Sequence, residues 1–424
     1  LPVLLFLQLS FQWVELRPLA GHSTFVARPV FSWERWFDGQ FQQESDQYLN
    51  QHIGLRELFI RIRNQLFYSA FEEPSAQQVV VGKNDVLFEQ NYIDAYLGQD
   101  YVGKDSVENQ LKRIRLLQDT LAAQNIRFVM VLAAGKASFF SEHIPDRFFS
   151  RTKGISNYEA FSDGFNRYGI HHIDFNRWFL QMKDTSNYPL YPKYGIHWSR
   201  YGELLVADSL INYLSQATSR ALSRYATKAI TWSTTPAYTD NDIGDGMNLL
   251  FDLPPCSLAY PTVSLQPIDT SNRPNVLVIG DSYYWGLFNL GLSADVFNNS
   301  PFWYYNKEIH YSDGRQVKTT GSADLRATVE QQDAVVIICT EASLKRFGFG
   351  FISSLYNSYF EPEQFAQELK AYQERITFWI NTIKGNEAWV SSAKERAALK
   401  GWTLDETIQA DAEFMVAKEL EEAQ

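Results

Sequence analysis

Three stretches of this chain are apolar at nearly every position: FVMVLAA at 128–134, VLVIG at 276–280 and AVVIIC at 334–339. Strands that face solvent on one side alternate in polarity, so uninterrupted β-branched runs of this length read as strands covered on both faces. Each has helical sequence beside it. SVENQLKRIRLLQDTLAAQN, from Ser106, has the apolar spacing of an amphipathic helix, and SRYGELLVADSLINYLSQA at 199–217 reads as a helix with Ser199 as its N-cap. GIHHIDF at 169–175 adds a further strand. The pattern predicts an α/β fold with a parallel sheet flanked by helices.

The rest of the chain divides around this body. LPVLLFLQLSFQW at 1–13 is strongly apolar but shorter than the roughly 20 residues that span a bilayer, and is expected to be the distal half of a signal anchor or signal peptide, with residues 1–20 as anchor and linker. Residues 21–360 are expected to form the main domain. Within it, 31–71 is a helical lead-in broken near Gly54, and VVVGKNDVLFEQNYIDAYLG at 79–98 reads as a hairpin turning at Lys-Asn-Asp. Residues 218–270, rich in Thr, Ser, Pro and Asp, read as a long irregular insertion of the kind that carries function. Residues 361–424 form a helical appendage whose last helix opens with Thr403 and Glu406 in capping-box spacing.

Composition removes several function classes. A net charge of -11 supplies no basic stripe for phosphates, which argues against nucleic acid and makes neutral or cationic substrates easier to reconcile. Two cysteines, Cys256 and Cys339, without metal-ligand spacing, read as unpaired thiols; no zinc site, other metal or cofactor is expected. Aromatic residues make up 15% of the chain, which suits either large cores or sugar-binding surfaces.

Chemistry concentrates in two motifs. VLVIGDSYYWG puts Ser282 just past the end of a buried strand, the edge at which open α/β sheets carry ligand sites. A serine hydroxyl needs an imidazole to take its proton. Of seven histidines, His197 in YGIHWSRYGE stands in a loop immediately before a helix; His22, His52, His143, His171, His172 and His310 have weaker settings.

Strand-Gly-Asp-Ser-helix, preceded by Ile-His-Trp at 196–198, resembles the SGNH-hydrolase-like proteins of alginate O-acetylation, including the DHHW group. The histidine motif precedes the serine motif, the reverse of ordinary SGNH hydrolases. The resemblance implies an SGNH-like α/β domain, exported to the periplasm and tethered to the inner membrane by its N-terminal segment. In it Ser282 is the nucleophile and His197 the general base, passing acetyl to a hydroxyl of a surface or exported polysaccharide, with a membrane-bound O-acyltransferase as acyl donor. An acetyl esterase, with water as acceptor, or a noncatalytic glycan-binding or assembly protein would use the same fold.

The family pattern carries an aspartate two residues before the histidine, and here that position is Gly195. Asp174, Asp184 and Glu341 are candidates to orient His197 instead. Gly135, Lys136, Asp281 and Glu341 are supporting candidates around the oxyanion, beside the Ser282 backbone N–H. Trp198, Tyr283, Tyr284 and Trp285 are candidates to stack on sugar rings, or else to pack beneath the loop.

Overall fold

The computed structural model describes residues 16–21, 26, 28–73, 76, 78–150, 152–266, 268–313, 318–322 and 324–422. The apolar run 1–13 and His22 lie outside the described residues. Three helices lead in: α1 (Trp33–Phe37), α2 (Gln40–His52) and α3 (Arg56–Phe71). Strands β1 (Val79–Val81) and β2 (Leu87–Glu89) pair antiparallel as the expected hairpin, with Asn84 and Asp85 in left-handed conformation at the turn. The hairpin ends there: residues read as its continuation form helix α4 (Gln90–Tyr96), because Tyr92, Ile93 and Ala95 recur at helical spacing and are buried.

The body follows the helix-strand rhythm. Helix α5 (Lys104–Ala123) precedes β3 (Arg127–Leu132), and after the short α6 (Lys136–Phe139), α7 (Asn157–Tyr168) precedes β4 (His172–Asp174). Next come α8 (Phe175–Met182) and α9 (Arg200–Thr218), the latter capped by Ser199, whose hydroxyl accepts from the Gly202 N–H. The 218–270 segment is not irregular throughout, as expected above. It is an antiparallel ribbon of β5 (Arg224–Ser233) and β6 (Leu258–Gln266), and only the crossing between them, with the one-turn helix α10 (Asp242–Gly246), is loop-like.

Then follow β7 (Val276–Gly280), α11 (Tyr284–Leu290), β8 (Phe302–Tyr304), β9 (Glu308–His310), β10 (Lys318–Thr319), α12 (Leu325–Glu330) and β11 (Ala334–Cys339). They complete a seven-stranded sheet in the order β10-β9-β8-β7-β11-β3-β4. Strands β8 to β4 in that order are parallel, and β9 and β10 add antiparallel pairs at one edge.

The solid apolar runs have the predicted cause. Along β11, Ala334, Val336 and Ile338 enter one core and Val335, Ile337 and Cys339 the other, so helices must cover both faces. Cys339 is buried there as a free thiol, and Cys256 is free as well. Helix α13 (Phe351–Phe360) closes the second core; α14 (Pro362–Lys384), α15 (Glu387–Lys400) and α16 (Leu404–Glu422) pack around a third of their own. The Thr403–Glu406 capping box is formed, each side chain bonding the other's backbone N–H.

Candidate active site

Ser282 stands two residues past the end of β7, in the turn that opens α11. The turn is fixed from behind. Asp281 is buried and points away from the serine: one carboxylate oxygen accepts from the Thr340 N–H and hydroxyl at 2.8 Å each, the other from the Tyr283 N–H at 3.2 Å. Asp281 therefore ties the ends of adjacent strands β7 and β11 together and offers nothing to an oxyanion.

His197 reaches Ser282 from the loop before α9. Its Nε2 lies 2.9 Å from the Ser282 Oγ, and its Nδ1 lies 2.7 Å from Asp242 Oδ2. Asp242 comes from the crossing inside the 218–270 ribbon, so none of Asp174, Asp184 and Glu341 meets the imidazole. Asp174 caps α8 and accepts from Tyr158 and Ser162, Asp184 is exposed, and Glu341 is buried elsewhere. The second oxygen of Asp242 accepts the backbone N–H groups of Ile196 and Ile243, both at 2.8 Å. A carboxylate can only accept, so Nδ1 carries the proton and Nε2 is left free to take one from Ser282.

Gly195 leaves room for the backbone that carries Asp242. A Cβ at position 195 would stand 2.4 Å from the Thr239 carbonyl oxygen and 2.8 Å from the Asp240 carbonyl carbon. The backbone that delivers Asp242 occupies the space of a side chain at 195, and the Gly244 N–H seals the contact by bonding the Tyr194 carbonyl at 3.1 Å. A side chain at 195 and Asp242 in its present place exclude one another.

Lys136 acts on the same loop from below. Its ammonium is buried and donates to the carbonyls of Gly195 at 2.6 Å and Lys193 at 3.0 Å, holding the turn that presents His197. Burial pulls its pKa down to about 7, against the attraction of Asp242 and Glu89. Gly135 spends its N–H on the Asn176 side chain, and a Cβ there would meet Glu341 Oε2 at 1.9 Å. Neither residue faces the serine as an oxyanion donor. Glu341 accepts from Ser138 and Asn176, and burial pushes its carboxyl up to about 7 despite those bonds.

The aromatic candidates are also elsewhere. Trp198, Tyr283 and Tyr284 are almost fully buried, with Trp198 packed edge-on against Tyr283, and Trp285 packs on Phe302, Tyr304 and His310. They form the floor under the site, so stacking on sugar is not available to the three buried rings. Among the other described histidines, His310 meets Glu308, His52 meets the Tyr48 carbonyl and His172 the Ile170 carbonyl.

Ser282, His197 and Asp242 open into a pocket of about 420 Å³ that Glu89, Asn91 and Tyr305 also line. Glu89 is raised in pKa by burial and then by Asp242. Tyr305 has φ of +50°, a conformation that costs a non-glycine residue energy and tends to persist at functional sites. Its hydroxyl is raised in pKa by burial and then by the charge of Asp281. A second cavity of about 880 Å³ shares the wall of Asn91, Tyr305, Ala342 and Ser343 and continues past Lys307, Lys345 and Arg346. Sequence reading missed Asp242, Glu89 and Tyr305; the Asp-rich DNDIGDG at 240–246 was the one available signal, for Asp242 alone.

A parallel sheet with a serine at the carboxyl edge of β7 and a histidine from the loop before α9 defines an SGNH-hydrolase-like α/β protein. The family model described as SGNH hydrolase-like domain, acetyltransferase AlgX, matches residues 79–293, just over half of the chain, and the protein belongs to that family. Solved structures similar to it include the O-acetyltransferase domain of Pseudomonas putida AlgJ, at 16% identity over 66% of this chain and 99% of that one, with a TM-score of 0.39. Pseudomonas aeruginosa AlgX is 14% identical over 65% of this chain and 67% of that one, with a TM-score of 0.41. Bacillus cereus PatB1 is 14% identical over 64% and 99%, with a TM-score of 0.40. No curated protein sequence matches the chain.

Two outcomes follow from the geometry. Gly195→Asp, which restores the acid at the family position, should destabilise the protein by about 1–3 kcal/mol through overpacking, measured by chemical denaturation. The double variant Gly195→Asp with Asp242→Gly should not recover that loss, because the clash is with the backbone of Thr239 and Asp240. For Glu341 the sign of the pH effect is fixed: its native pKa of about 7 exceeds the ordinary 4.5, so its contribution is full below 4.5 and lost as pH rises through 7. Thermal melts between pH 5 and 8 should therefore fall less steeply for Glu341→Gln than for the wild type; equal slopes would refute the buried carboxylic acid.

Proposed function

We propose that this protein transfers acetyl groups to hydroxyls of an exported or cell-surface polysaccharide through an acetyl-Ser282 intermediate. The observation that carries the reading is the continuous hydrogen-bonded series Ser282–His197–Asp242, at 2.9 and 2.7 Å, opening into a pocket. Family membership supports acyl transfer as the reaction class.

In the first half-reaction His197 Nε2 takes the proton of Ser282 as Oγ attacks the acetyl carbonyl, and returns it to the departing donor group. In the second, the same nitrogen takes the proton of a sugar hydroxyl as that oxygen attacks the acetyl-serine, and returns it to the departing Ser282 Oγ. Asp242 holds the tautomer and offsets the charge on the imidazolium. The Ser282 backbone N–H and the Tyr305 hydroxyl are the groups we assign to the oxyanion.

The chemistry of the pocket bears on the acceptor. Its lining carries the carboxylates of Glu89 and Asp242, and no lysine or arginine among the described residues, which favours an uncharged sugar ring at the serine. The adjoining cavity, with its cations one step further on, suits a polymer that continues beyond the modified unit. A membrane-bound O-acyltransferase as acyl donor, and a periplasmic location, agree with this reading; no described helix is long and apolar enough to cross a membrane.

Release of acetate from a small aryl ester tests the serine chemistry without any acceptor. Ser282→Ala should abolish it, and Asp242→Asn should lower kcat/KM roughly a hundred- to ten-thousand-fold. Wild-type rates in both variants would remove Ser282 from the mechanism. With neutral oligosaccharides added, acetylated sugar should accumulate at the expense of free acetate; acetate alone would make the protein an esterase.

A further inference from the structure

The lead-in helices carry their apolar side chains outward. On α3 it is the polar residues that face the body: Arg61 and Asn64 are 9% and 6% exposed. Arg61 donates to the carbonyls of Leu249 at 3.0 Å and Pro18 at 2.9 Å, and Asn64 to that of Met247 at 2.9 Å. On the opposite arc Phe59, Ile62 and Leu66 share one face at helical spacing and are exposed, Leu66 to 62%. Ahead of them Phe31, Trp33, Trp36 and Phe37 form an aromatic cluster that stays open to solvent, Trp33 at 68% and Phe37 at 82%. Residues 30–71 hold 12 of the 25 exposed large apolar side chains among the described residues, in a tenth of the chain. Concentration on that scale marks a contact surface.

We propose that the outward face of α1 to α3 lies on the surface of a lipid bilayer. Two observations choose lipid over a protein partner. The face combines tryptophan with Phe and Leu, and the Arg63 guanidinium rests 5.1 Å over the ring of Phe67, leaving its charge at the rim of an apolar surface. The chain reaches this place from the apolar LPVLLFLQLSFQW: Pro18, five residues beyond that stretch, is the carbonyl bonded by Arg61. No described helix crosses a membrane, so the contact is interfacial.

The contact has a consequence for the site. The inward side of α3 bonds the carbonyls of Met247 and Leu249, the segment that directly continues α10 and its Asp242. A bilayer seated on the outer side of α3 brings the segment bearing Asp242 close to the membrane surface, where a membrane-embedded acyl donor presents its group. The proposal itself needs no assignment of Ser282, since binding is read without any reaction.

The test uses the full chain and sedimentation with vesicles of phosphatidylcholine, with and without phosphatidylglycerol. The wild type should bind both kinds of vesicle, and Phe59→Glu with Leu66→Glu should weaken partitioning roughly tenfold or more at an unchanged melting temperature. Tryptophan emission should shift to the blue on binding and be quenched by brominated lipid, with both effects reduced in Trp33→Phe. Absence of vesicle binding, or binding that the double variant leaves intact, overturns the proposal. So does a wild-type dimer that the same substitutions split, which would assign the face to a second copy of the chain.

Discussion

The backbone from Thr239 to Asp240 passes so close to residue 195 that no side chain can stand there, and the geometry of the site follows from that contact. Across it, Asp242 accepts the Ile196 N–H and holds the His197 imidazole, and Gly244 bonds the Tyr194 carbonyl. From the other side Lys136 pulls on the carbonyls of Lys193 and Gly195. The histidine loop is thus clamped between the ribbon crossing and a buried ammonium. Its one free direction is toward Ser282, where Nε2 points.

A carboxylate two residues before a histidine is local, cheap in chain entropy, and rigidly spaced. Supplying it from 45 residues further on requires a long closed loop, and the β5–β6 ribbon provides one whose two ends are zipped together. The cost of ordering that crossing is shared with other tasks: it walls the pocket through Asp242, Ile243 and Gly246, and it gives α3 its polar contacts. The lead-in helices, which line no part of the pocket, are thereby connected to the geometry of the imidazole.

Buried ionisable groups recur around the site for different reasons. Glu341 and Asp281 stand behind the strand ends, where burial raises their pKa and hydrogen bonds from Ser138, Asn176 and Thr340 hold them. They brace loops. Glu89 and Asp242 face the cavity, so their charge is seen by whatever enters it. Proximity in sequence to a motif did not distinguish the two sets, because adjacent residues at a strand end point to opposite sides: Asp281 into the sheet, Ser282 into the pocket.

The sequence alone determined the sheet. Runs such as AVVIIC leave no polar face, so the strands had to be sandwiched between helices, and a serine just past VLVIG had to sit at the carboxyl edge. It also determined which histidine stands before a capped helix. It could not determine the partner of that histidine: DNDIGDG has no periodicity, and several acids near Asp242 look alike until folding selects one. Nor could it tell floor from wall among Trp198, Tyr283, Tyr284 and Tyr305, since aromatic character is the same in both places. Only tertiary structure decided these, because Asp242 meets His197 through backbone contacts at Gly195, where the informative feature is the absence of a side chain.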